Sequence, residues 1–309
     1  MIAGRRGTVA YTGRMPELPD ITVYVERLAD AMCGRPLQRI RVLNPFVLRT
    51  AVPPIAGAEG QLVAGVERLG KRIVLELANG CFVVMHLMIA GRLRWLPATA
   101  KPPGRISLAV FQFDNGQLVL TEAGTTRRAS IHLVADRAAL AAMDPGGIDP
   151  LTADRAAFAA QLQRENHTLK RSLTDPRLYS GIGNAYSDEI LHRARLSPVA
   201  LSRSLAEVEV QRLFEATRAV LFEWTERLRA EALAGGGWPE KVTAFRPEMA
   251  VHGRYGQPCP DCATPVQRIV YADNETNYCP RCQTGGKLLA DRALSRLLKA
   301  SWPRTLDDL

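Results

Sequence analysis

No part of this chain is apolar for long. Its most hydrophobic window, Ile73 to Ala90, is broken by Glu76, Asn79, Gly80 and His86, whereas a helix that crosses a bilayer needs about 20 consecutive apolar residues. The first fourteen residues carry Arg5, Arg6 and Arg14 and no apolar run that would serve as a secretory leader. Internal repeats and low-complexity tracts are missing too. These absences argue against a membrane-spanning or exported protein, and the cytoplasm is the expected location. Acidic residues are in deficit: 31 Asp and Glu face 40 Lys and Arg, a net charge of +9. Such a surface attracts polyanions, of which nucleic acid is the commonest. Basic residues recur at Lys71-Arg72, Arg92, Arg94, Arg127-Arg128, Lys170-Arg171 and Arg254.

Cysteine is scarce, with six in 309 residues. Cys33 and Cys81 stand in apolar surroundings and read as inert core thiols. The other four, Cys259, Cys262, Cys279 and Cys282, form two C-x2-C pairs separated by sixteen residues. Two thiolate pairs on opposing turns close a tetrahedron around one Zn²⁺ and leave it no open position, which makes a structural rather than a catalytic metal site. Two disulfides are the alternative, disfavoured in a chain without a secretory leader. Between the pairs, Gln267 to Tyr271 and Asn277-Tyr278 read as strands around a polar turn at Asp273-Asn274, a zinc-ribbon hairpin.

The first 135 residues read as antiparallel β structure after one helix, from about Ile21 to Met32, with Val23, Val25, Leu28 and Ala29 inward. Asn79-Gly80 and Asn115-Gly116 each separate two apolar segments, a strong hairpin signal. Asp144 to Pro150 is rich in Pro and Gly and reads as a linker. Helical periodicity follows. Ser204 and Glu207 have capping-box spacing, opening a helix that Gly235-Gly236-Gly237 stops near Leu233. Lys287 to Lys299 has the pattern of a short amphipathic helix with a basic face.

Gly181-Ile182-Gly183-Asn184 precedes a helical run from Ala185 to Arg193. A glycine turn opening a helix exposes unpaired N–H groups that suit a phosphate oxygen, although a helix-loop-helix corner needing positive φ explains it equally well. Other motifs accompany this turn: Met15-Pro16-Glu17-Leu18-Pro19-Asp20, Leu69-Gly70-Lys71-Arg72, His86-Leu87-Met88-Ile89-Ala90-Gly91, Arg127-Arg128, Gly253-Arg254 and Tyr278-Cys279-Pro280-Arg281-Cys282-Gln283. With these in order from Met15 to Gln283, the chain resembles the formamidopyrimidine-DNA glycosylase / endonuclease VIII family of base-excision repair enzymes.

The resemblance implies an α+β multidomain fold. Residues 15–143 would form a catalytic antiparallel β-sandwich with flanking helices, and 144–151 the linker. Residues 152–245 would form a helix-two-turn-helix DNA-binding domain, 246–285 the zinc finger, and 286–309 an amphipathic helix and tail. It implies a monomeric DNA glycosylase and AP lyase that excises oxidised bases from damaged double-stranded DNA, with one structural zinc. The nucleophile would be Pro16 once Met15 is removed, which treats residues 1–14 as a non-native extension. A terminal secondary amine is partly neutral near pH 7, unlike an exposed lysine. Glu17 would be the general acid/base and Lys71 a phosphate-contacting lysine beside the lesion. His86, Asn184 and Arg254 would hold the DNA backbone, and Ile89 and Arg127 would fill the gap left by the extruded base.

The chain departs from the family pattern in several places. Ile89 replaces a methionine, Ala129-Ser130 replaces Phe-Gly, Asn274 replaces an arginine, and Asp20 replaces a glutamate. Gly236 to Lys241 lacks the usual Thr-rich covering loop. These departures leave the lesion open, so an enzyme preferring oxidised pyrimidines or abasic sites is one alternative. A noncatalytic zinc-stabilised binder of damaged DNA is another, and an RNA-binding role a third.

Overall fold

The structure is a computed structural model that describes residues 15–124, 126–239, 242, 246–271, 274–289 and 305–306. In chain order its elements are α1 (Leu18–Met32), β1 (Arg39–Val42), β2 (Val63–Leu69), β3 (Arg72–Leu77), β4 (Phe82–His86), β5 (Gly91–Leu96), β6 (Ser107–Phe113), β7 (Gly116–Glu122), β8 (Ser130–Val134), α2 (Arg137–Ala141), α3 (Arg155–Arg164), α4 (Leu169–Thr174), α5 (Asn184–Arg193), α6 (Glu207–Ala234), β9 (Gln267–Tyr271), β10 (Asn274–Tyr278) and α7 (Pro280–Thr284). The first eight strands make two four-stranded sheets, ordered β1-β6-β7-β5 and β2-β3-β4-β8. Every pairing within them is antiparallel. Ile73, Leu75, Val83 and Met85 from one sheet meet Phe111, Leu118 and Leu120 from the other in one buried core, the alternation that a two-sheet sandwich requires.

Both Asn-Gly signals mark hairpins, with different turns. Phe113 pairs directly with Gly116, so Asp114-Asn115 is the two-residue loop of the β6–β7 hairpin. Between β3 and β4 the Leu77 N–H donates to Cys81 O at 2.9 Å, leaving a three-residue loop from Ala78 to Gly80. A left-handed residue ends such a loop, and Gly80 has φ of +83°.

The helices form a second core. Phe158, Leu173, Tyr179, Ile190, Leu213 and Leu221 from α3 to α6 pack together with Leu18, the first residue of α1. Ile21 and Tyr24, later in α1, belong to the sandwich core instead. Helix α1 therefore ties the two units together, and Val23 packs on Leu228 and Ala232 of α6. A second tie comes from β2: Arg68 donates to Gly70 O (2.9 Å) and Ser180 Oγ (3.3 Å) and pairs with Asp149, between α2 and α3. The zinc-ribbon hairpin, β9 with β10, is a separate two-stranded sheet packed against α5.

Local chemistry changes some expectations. Helix α1 starts three residues earlier than periodicity implied, because Asp20 accepts the Glu17 N–H at 3.0 Å and Pro19 occupies the first turn. Ser204 is not the cap of α6. Its hydroxyl donates to Leu201 O within a 3-10 turn, and the helix starts after Ala206, whose N–H donates to Glu209. Cys33 is exposed rather than in the core, while Cys81 is half-buried. Most of the amphipathic segment expected at Lys287 to Lys299 lies outside the described residues. Among the described residues no helix is long and apolar enough to cross a membrane.

Candidate active site and metal centre

Glu17 precedes α1 and is 3% exposed, yet its carboxylate is well supplied with donors. It accepts the backbone N–H groups of Gly183 (2.6 Å), Ala185 (2.8 Å) and Tyr186 (3.2 Å). These are the orphan donors at the start of α5, where the helix dipole also favours a negative charge. The glycine turn thus holds a side chain of its own chain, not a free phosphate. Gly181 must be glycine because φ is +85° and a Cβ would lie 2.9 Å from Leu18 Cβ. At Gly183 a Cβ would lie 2.5 Å from Glu17 Cδ and would also strike Lys71 Nζ. The turn therefore brings Glu17, Lys71 and the start of α5 together.

Lys71 projects from the β2–β3 turn into this corner. Burial lowers its pKa, and Glu17 opposes that shift. Pro16 is buried directly before Glu17. Asp20 is 6% exposed, and burial raises its pKa to about 6. Its Oδ2 holds the Glu17 N–H, and its Oδ1 is buried without a hydrogen-bond partner. His86 closes β4 opposite Arg72. Burial, and then Arg72 and Lys71, push its pKa down to about 4, so the ring is neutral at physiological pH.

The remaining expected residues are more dispersed. Asn184 opens α5, and its amide donates to Glu275 O of β10 at 2.9 Å. Arg254 donates to Met249 O (2.9 Å) and Gln257 Oε1 (3.0 Å) beside the hairpin. Ile89 is 38% exposed in the β4–β5 turn, and exposed Arg127 donates to Arg105 O at 2.6 Å. Ala129 is buried, so it offers no wedge. Trp238 anchors the segment after α6, donating from Nε1 to Leu93 O at 3.0 Å with its ring 5.9 Å from Tyr24.

The four cysteines of the C-terminal pairs converge, with their sulfurs all within 4.8 Å of one another. Cys262 and Cys279 sulfurs are 3.4 Å apart, and those of Cys259 and Cys282 4.0 Å. Tetrahedral Zn–S bonds of about 2.3 Å place sulfurs about 3.8 Å apart, so the set fits one structural zinc, held by all four. The metal would supply folding energy to a module whose own core, among the described residues, is Val251, Val266 and the cysteines.

Sequence reasoning missed the buried network behind α5. The Asp188 carboxylate accepts from Lys170 (2.5 Å), His252 Nδ1 (2.7 Å) and Asn277 N (3.1 Å). Glu189 accepts from the N–H groups of Ala250, Val251 and His252. Two adjacent acids in a helix look like a solvated face; only the tertiary structure shows that both point into the zinc-finger seam.

Comparison with known proteins agrees with this architecture. Three family models match in order: the formamidopyrimidine-DNA glycosylase N-terminal domain over residues 15–129, the H2TH domain of the same enzymes over 147–230, and a zinc finger found in FPG and IleRS over 256–285. The formamidopyrimidine-DNA glycosylase of Thermus thermophilus is 34% identical, covering 88% of this chain and 100% of that protein. The crystal structure of the MutM (Fpg) protein from that organism superposes with a TM-score of 0.70 at 32% identity, over 87% of this chain and 98% of its own. The complex of Lactococcus lactis FPG with a FAPY-dG-containing DNA gives 0.76 at 23% identity, over 87% and 100%. The chain belongs to the formamidopyrimidine-DNA glycosylase family.

Proposed function

We infer that the protein is a base-excision DNA glycosylase with AP lyase activity, acting as a monomer on oxidised bases in damaged duplex DNA. One observation carries the reading: a buried carboxylate, Glu17, lies next to Pro16 and is held at the start of α5 with Lys71 against the same corner. The family match begins at residue 15, which supports a working chain that starts at Pro16.

The chemistry follows from a terminal proline. Its neutral secondary amine attacks C1′ of the extruded nucleotide, the C1′–N bond breaks, and the base leaves with its electron pair. Glu17 handles the proton of the sugar ring oxygen as the ring opens. The resulting C1′ iminium acidifies C2′–H. Loss of that proton breaks the C3′–O bond, so the strand is cut by β-elimination, and water then releases the enzyme. Lys71 and His86 contact phosphates beside the lesion, and Asn184 and Arg254 extend the backbone contact toward the hairpin. Ile89 and Arg127, both exposed, fill the space of the missing base. Zinc takes no part in the reaction; it orders the hairpin.

The test is incision of end-labelled duplexes by the chain starting at Pro16. An abasic duplex should be cut to a β-elimination product, and duplexes with oxidised purines or pyrimidines should be cut at rates that rank the lesions. Binding without any incision would identify a noncatalytic damaged-DNA binder instead.

A further inference from the structure

His192 lies in the last turn of α5, at the far end of that helix from Glu17, and none of the chemistry above uses it. It is 4% exposed, and its Nε2 is 3.3 Å from the sulfur of Cys259, itself 2% exposed. The other acidic group within reach, Asp261 Oδ2, is 4.0 Å away, beyond hydrogen-bonding distance, and its side chain is 45% exposed. A zinc-bound thiolate is an acceptor with no proton of its own, so the contact takes the tautomer in which Nε2 carries the hydrogen.

We propose that His192 is a positioning residue of the zinc centre, donating its Nε2–H to the Cys259 thiolate and so slowing the loss of the metal. Four thiolates leave a Zn²⁺ site with a formal charge of −2. A buried donor aimed at one sulfur stabilises that charge and fixes the ligand's orientation. A backbone N–H does the same for a second sulfur, from Cys282 to Cys279 at 3.5 Å. The side chain also has a mechanical consequence. Helix α5 receives Glu17 at its first residues, Asp188 and Glu189 hold the zinc-finger seam from its middle, and His192 reaches a zinc ligand from its end. A single ten-residue helix thereby connects the catalytic carboxylate to the metal.

The test uses the full zinc-loaded chain and the chromogenic chelator 4-(2-pyridylazo)resorcinol, with released zinc followed over time. His192→Phe keeps the bulk and removes the donor; it should release zinc about 10-fold faster or more, the usual scale for losing a group behind a metal ligand. His192→Gln, which retains an N–H donor, should recover part of the difference, and Asp261→Asn should release zinc at the unaltered rate. Cobalt-substituted protein separates donation from packing. The sulfur-to-cobalt charge-transfer band should move to lower energy in His192→Phe and back in His192→Gln. Equal release rates and equal bands in the unaltered protein and His192→Phe would overturn the proposal, as would a faster release in Asp261→Asn that matches His192→Phe. Strand incision measured in parallel reports on the glycosylase reading separately.

Discussion

At the scale of single residues, the site depends on what surrounds each carboxyl group. Glu17 is anchored through both oxygens by N–H donors, so Glu17→Gln places an amide nitrogen against a backbone N–H as well as removing the proposed acid/base. Base excision should fall by about 10²–10⁴-fold, measured in single-turnover assays; a fall of less than about threefold would remove Glu17 from the mechanism. Asp20 is different, since burial lifts its pKa from 3.8 to about 6. The folded state then holds that proton more tightly than the unfolded state, so the stabilising contribution is complete below about pH 3.8 and is lost as pH rises through 6. The shift corresponds to roughly 3 kcal/mol. Urea denaturation should show a fall in stability between about pH 4 and 6.5 that Asp20→Asn lacks, whereas parallel pH profiles would contradict it. Motifs made the four cysteines legible as a zinc site and singled out Glu17 and Lys71, which the fold brings to one corner. The burial of Asp20, and the use of the glycine turn to hold Glu17, were not legible, because both depend on α5 meeting α1 across the domain boundary.

Secondary-structure elements were readable where the signal was local. The Asn-Gly hairpins and the glycine stop of α6 follow from turn chemistry within a few residues. The start of α6 was misplaced because Ser204 satisfies its hydroxyl in a preceding 3-10 turn, leaving Glu209 to cap Ala206. Cys33 looked buried by its neighbours in sequence, but it follows the last residue of α1, where the chain leaves the core. The zinc hairpin is the element most dependent on an outside group. Cys279→Ser should deprotect residues 256–285 to hydrogen exchange and weaken DNA binding by about tenfold or more, with protection of β3, β4 and β7 unchanged. Retained protection in the hairpin would show that metal does not hold it. The expectation rests on the small apolar core of that module beside the roughly 10–16 kcal/mol typical of zinc binding in finger peptides.

For the whole molecule, the order of the motifs carried more than any one of them. A sandwich, a helical unit and a four-cysteine hairpin were readable along the chain, but their assembly around Leu18, Arg68 and α5 was not. In a chain starting at Pro16, that assembly would set two amines in competition. Lys71 lies against Glu17 with a lowered pKa, and a buried lysine of that kind can itself form a Schiff base. Pro16 is assigned the attack because it adjoins the same carboxylate and its secondary amine needs no burial to be neutral. The most direct test is borohydride reduction of the chain starting at Pro16 on an abasic duplex, followed by peptide mapping of the adduct. A covalent complex joined at residue 16 is expected, largely lost in Pro16→Gly and retained in Lys71→Ala. An adduct joined at Lys71, or none at all, would contradict it.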